Sequence, residues 1–120
     1  MAERRKSERR SISYYLRIID ADSNLMLGHL GDITLQGLKM DSQKRLPVKK
    51  EYRLRINTTA DVADKDFIEF SAYTRWCQPD PLQTGLYEIG FEIVKIALYD
   101  STIIQRIMDK YSPRENTFKF

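Results

Sequence analysis

Apolar and polar residues alternate with a period of two along most of the chain, and the period lengthens to a helical one near the C-terminus. From Ser11 to Ala21 (SISYYLRIIDA), Ile12, Tyr14, Leu16 and Ile18 alternate with Ser13, Tyr15 and Arg17. Alternating β-branched and aromatic residues predict a strand. Asp20 to Asn24 (DADSN) is a turn by composition. Leu25 to Ile33 predicts a second strand, in which Gly28 and Gly31 mark a bulge or bend. Gly37 to Asp41 predicts a short third strand with Leu38 and Met40 on one face, followed by a polar connection containing Pro47. The clearest alternation runs from Tyr52 to Thr59: Tyr52, Leu54 and Ile56 point one way, and Arg53, Arg55 and Asn57 the other. After a charged loop, Phe67 to Cys77 sets Ile68, Phe70, Ala72, Thr74 and Trp76 against Glu69, Ser71, Tyr73 and Arg75. A turn with two prolines and a glycine leads into Leu86 to Val94, with Tyr87, Ile89, Phe91 and Ile93 on one side.

In YDSTIIQRIMDKY, Ile103, Ile104, Ile107, Met108 and Tyr111 then fall on one helical stripe. Asp100 or Ser101 can cap its start, and Pro113 lies just beyond its end. The fold class is therefore mainly β. Six antiparallel strands in meander order roll into a small barrel or half-barrel, and a C-terminal α-helix covers an open end or face. Residues 1–11 form a basic, flexible arm, residues 12–112 the barrel and helix, and residues 113–120 a tail that is polar apart from Phe118 and Phe120.

Composition narrows the class. The 120 residues suit one core, and 42% hydrophobic with 31% charged residues is a globular balance. No stretch approaches the apolar length of a membrane helix, and the N-terminal charge is not followed by the apolar segment of a signal peptide. Cys77 is the single cysteine, so no intrachain disulfide forms, and a cytoplasmic location is the expectation. The net charge is only +3, but it is unevenly spread: Arg4, Arg5, Lys6, Arg9 and Arg10 crowd the arm.

Two stretches carry candidate chemistry. Arg5 and Arg9 form an R-x-x-x-R, a spacing that puts both guanidinium groups on one side of the chain. A guanidinium fork matches phosphate oxygens or a guanine edge, and its plane stacks on a base. Without other support, a solvated charged arm is the better account of it. The second stretch, Asp32 to Gly37 (DITLQG), is a D-x-T-x-x-G between the second and third strands. The Asp32 carboxylate can accept the paired N–H donors of guanine. Thr34 lies on the same face of an extended chain, and Gly37 permits a left-handed turn or a close backbone approach. A tight turn in which Asp32 caps its own backbone is the competing account.

Taken together and in order, these pieces resemble the PilZ domain, the bacterial receptor module for cyclic di-GMP. That family carries R-x-x-x-R near its start and [D/N]-x-S-x-x-G about two dozen residues later. ERRKSER and DITLQG match, except that Thr34 stands where the family has Ser, and FSAYTRWCQ with GLYEIGFEIV is similar to its paired late strands. The resemblance implies a six-stranded barrel with a C-terminal helix, cyclic di-GMP as ligand, no cofactor and no catalysis. It implies that Arg5 and Arg9 hold phosphates and guanine edges, with Arg4 and Arg10 assisting, and that Asp32, Thr34 and Gly37 line a guanine pocket. Trp76 either stacks on guanine or packs in the core beside Phe70. The ligand would order the arm and present a new surface to an unidentified downstream protein, with motility, adhesion or polysaccharide export as the family's outputs. A single-stranded nucleic-acid-binding barrel and a PilZ-like adaptor without nucleotide are the alternatives, nucleic acid being the weaker candidate partner.

Other features carry less. His29 is the single histidine, which argues against a histidine-rich metal site, and Cys77 reads as a buried structural thiol. Asp61, Asp64 and Asp66 lack the pattern of a calcium loop and read as a solvated hairpin tip. Lys44, Arg45, Lys49 and Lys50 make a second basic cluster, a solvated loop or an added attraction for anions.

Overall fold

The computed structural model describes residues 16–111. The strands are β1 (Arg17–Asp20), β2 (Met26–Ile33), β3 (Gly37–Ser42), β4 (Glu51–Asn57), β5 (Phe67–Pro79) and β6 (Tyr87–Ile96), followed by helix α1 (Leu98–Tyr111). All neighbours are antiparallel and the sheet closes into a barrel. The N-terminal part of the predicted first strand, Ser11 to Tyr15, lies outside the described residues.

Strand order is β1-β2-β3-β6-β5-β4 around the barrel, not the expected single meander. Two three-stranded meanders close on each other where β3 pairs with β6 and β1 with β4. Alternation tells which face of a strand is buried; it does not tell which strand lies alongside. The deciding contacts lie in the connection after β3. There Thr74 of β5, fully buried, donates its hydroxyl to the carbonyls of Pro47 and Lys50 at 2.9 and 3.1 Å and accepts from Lys50 N–H at 3.1 Å. The chain is thus held across the end of the barrel and enters β4 beside β5.

The inward residues are those the alternation predicts: Ile18, Leu54, Ile56, Ile68 and Phe91 are among the fully buried side chains. Tyr52 meets Phe91 edge-on, ring centroids 5.9 Å apart. The expected irregularity in β2 is a bulge between Leu30 and Asp32, at Gly31.

Helix α1 begins at Leu98, earlier than a cap at Asp100 or Ser101 implies. Asp100 instead lies in the first turn, where its carboxylate is 2.8 Å from Lys65 Nζ. Acidic side chains favour that position through the helix dipole. Ile103, Ile104 and Ile107 are buried in the core cluster together with Val62 and Ala63 of the β4–β5 connection. That connection is therefore more than a solvated tip: Asp61 pairs with Lys110, Asp64 accepts from Tyr99, and Arg106 donates to the Val62 carbonyl. Helix and loop together stopper one end of the barrel. Among the described residues no helix is long and apolar enough to cross a membrane.

Candidate functional site

Asp32 is the last residue but one of β2, which ends at Ile33; Gly37 begins β3, and Thr34, Leu35 and Gln36 make the turn. Thr34 organises it. Its hydroxyl accepts from the amides of Gln36 and Gly37, both at 3.2 Å, and is 3.4 Å from the Gly37 carbonyl, which also accepts from Thr34 N–H at 2.8 Å. The Gln36 carbonyl accepts from Ile93 N–H at 2.8 Å, tying the turn to β6. The side-chain hydroxyl thus serves the turn itself. Positive φ among the described residues occurs at Asn24, Lys49 and Gly85, so Gly37 begins its strand without the left-handed conformation its identity permits. Asp32 is buried, and its carboxylate accepts from Ile33 N–H at 3.0 Å, the local capping that the sequence also allowed.

Trp76 does not join Phe70 in the core. A bulge between Thr74 and Trp76 inserts Arg75 as an extra residue, so Thr74 stays inside opposite Phe91 while Trp76 turns out opposite Gly90. A bulge of this kind re-aims every side chain beyond it. The indole lies directly on Gly90, where a Cβ would come within 2.3 Å of the ring. Cys77, which follows, pairs with Ile89 and is half-buried against the core.

Cross-strand register gathers the outward side chains. Asp32 pairs with Lys39, Lys39 with Gly90, and Gly90 with Trp76. A carboxylate, an ammonium and an indole therefore share one row across four adjacent strands, which spans roughly 14 Å at the usual strand spacing. The next row is His29, Asp41, Glu88 and Gln78. Lys39 and Glu88, both buried, link the rows at 3.9 Å, and Gln78 reaches Glu88 at 3.4 Å. Lys39 and Gly90 escape a reading by strand alone, because only the register brings them between Asp32 and Trp76. The β1 side of the face is set by Leu16, whose carbonyl accepts from Leu30 N–H at 2.8 Å, so the chain enters β1 two residues from Asp32. Arg4, Arg5, Arg9 and Arg10 lie outside the described residues.

Beside the second row a cavity of about 630 Å³ opens between β2, β3 and the β5–β6 hairpin. Oxygens of Asp41, Asp80 and Glu88, which line it, lie within 4.8 Å of one another. Such a floor disfavours phosphate.

The PilZ domain pattern matches residues 3–110, almost the whole chain. The chain belongs to the PilZ domain family. PilZ domains are cyclic di-GMP receptor and adaptor modules, generally without enzymatic activity. Among solved structures the barrel is similar to the Bacillus subtilis inhibitor of motility MotI/DgrA, with a TM-score of 0.66 and 18% identity. The match covers 81% of this chain and 47% of the other, so the chain spans about half the length of that protein. Comparison with curated proteins gives no significant match. The expected PilZ barrel with its C-terminal helix is thus the fold observed.

Proposed function

We propose that this PilZ domain is a cyclic di-GMP receptor that works by ordering its N-terminal arm. The observation that carries the reading is the row Asp32, Lys39, Gly90 and Trp76 on the outer face of the barrel, with the chain entering at Leu16 beside it. Cyclic di-GMP offers two guanines and two phosphates. Arg5 and Arg9 hold phosphate oxygens and guanine edges, and Arg4 and Arg10 add attraction for the dianion. The Asp32 carboxylate accepts from a guanine edge, and the outward indole of Trp76 offers a stacking plane. Thr34 and Gly37 act by shaping the turn that holds Asp32. No cofactor is needed. The ligand pins the arm against the barrel, and the arm so ordered forms a surface for a downstream protein. The work is done in the cytoplasm.

Calorimetric titration with cyclic di-GMP tests this, with GTP and a short single-stranded DNA as controls. Selective binding that disappears in Arg5→Ala/Arg9→Ala is the expected result, and it also gives the stoichiometry. Absence of cyclic di-GMP binding to the wild-type chain overturns the reading, and binding of the DNA instead assigns the basic arm to nucleic acid.

A further inference from the structure

Two bulges converge on Lys39, in the middle of β3. In β2, Leu30 and Ile33 are three residues apart and both face the core, because the bulge at Gly31 turns Asp32 outward opposite Lys39. In β5, the bulge at Arg75 turns Trp76 outward opposite Gly90, and Gly90 pairs with Lys39. In regular strands Asp32 would follow Leu30 inward and Trp76 would follow Thr74. Bulges re-aim side chains in this way next to functional sites. Gly90 adds no side chain of its own, so the register leaves Lys39 between a carboxylate and an indole.

Lys39 is 8% exposed and Asp32 2%, although both stand on the outer face. Glu88 of the next row lies 3.9 Å from the Lys39 ammonium, and Gln78 reaches the Glu88 carboxylate at 3.4 Å. A buried ion pair is often no more stabilising than apolar residues of the same size, so stability alone does not explain a lysine at this depth. Directly opposite residues have Cβ atoms about 5 Å apart, a separation that two groups on one purine edge can bridge. Along that edge guanine presents N2–H and N1–H as donors and O6 as an acceptor, whereas adenine presents an acceptor at N1 and a donor at N6. A carboxylate beside an ammonium accepts twice and donates once. That pattern fits guanine and opposes adenine.

We propose that Lys39 sets the base specificity of the nucleotide site, donating from its ammonium to guanine O6 while Asp32 accepts from N1–H and N2–H. The assignment rests on the cyclic di-GMP reading above and adds to it a residue that lies outside both sequence motifs. An ammonium has three donors, so Lys39 serves O6 and keeps Glu88. Adenine in the same place sets its N6–H against the ammonium and its bare N1 against the carboxylate, which leaves both charges facing groups of the wrong kind.

Calorimetric titration of the full chain with cyclic di-GMP and with cyclic di-AMP, each carried to saturation, tests the assignment. The wild type should prefer the guanine ligand. Lys39→Met/Glu88→Gln removes the donor without leaving a buried carboxylate unpaired, and circular dichroism checks its fold. It should bind cyclic di-GMP roughly tenfold more weakly and cyclic di-AMP no more weakly than the wild type does, so the preference narrows. Lys39→Gln, closer in shape to the lysine, is the second variant should the first not fold; its neutral amide should give a smaller loss in the same direction. A folded variant that keeps the full preference overturns the assignment and leaves cyclic di-GMP binding standing. So does equal weakening of both ligands, which marks Lys39 as structural. A wild type that binds no cyclic di-GMP overturns the receptor reading itself, and the assignment with it.

Discussion

Thr34 carries a hydroxyl that its own turn consumes, accepting from the amides of Gln36 and Gly37. Replacing it by serine keeps those bonds, so Thr34→Ser should leave stability within about 0.5 kcal/mol, as for a surface change without a broken interaction. Thr34→Val keeps the shape and loses the acceptor; water can serve the exposed Gln36 amide, so the part-buried Gly37 amide sets the cost, about 1 kcal/mol in urea unfolding. Gly90 is the other residue with a definite prediction. Gly90→Ala drives a methyl into the Trp76 indole and should cost about 1–3 kcal/mol by overpacking. Since Trp76 is the single tryptophan, its fluorescence reports the displaced ring directly. The identity of the Asp32–Gly37 stretch was legible in the sequence, and so was its place between two strands. The placement of Trp76 was not, because one extra residue, Arg75, reverses the face of everything after it, and nothing in the alternation marks the insertion.

Among the elements, β4 and β5 are joined on the outer face by Glu69, which accepts from Arg53 at 2.8 Å and from Arg55 at 2.9 Å. These bonds, that from Arg53 foremost, hold the Glu69 carboxyl below its usual range. A carboxyl whose pKa is lower in the folded chain stabilises it above the ordinary glutamate value, and the contribution is lost as pH falls through the folded value. Glu69→Gln should therefore be less stable than the wild type at neutral pH, and the gap should narrow in acid. Urea unfolding across that range checks it; a gap that is constant with pH would mean that ionisation of Glu69 plays no part. Strand β4 was the most legible element, since Tyr52, Leu54 and Ile56 all turn inward as their spacing dictates. Helix α1 was legible by its isoleucine stripe but not at its start. Asp100 resembles a cap in sequence, and only the distant Lys65 reveals it as an ion-pair partner within the first turn.

For the whole molecule, one core serves barrel and stopper together, from Phe91 to Ile107. Phe91→Ala should cost about 3–5 kcal/mol, and a single unfolding transition should move for strands and helix alike in circular dichroism. The barrel was foreseeable from six alternating segments; its strand order was not, because the β1–β4 and β3–β6 pairs are made between segments far apart in the chain. Closure has a consequence for signalling. Among the described residues every strand from β1 to β6 has a neighbour on both sides, so the closed barrel has no edge strand to which a partner could add a strand of its own. A downstream protein of the receptor proposed above would read side chains and loops of this barrel instead of its backbone. The specificity of the output can therefore change by surface substitution alone, while the barrel that carries it remains the same.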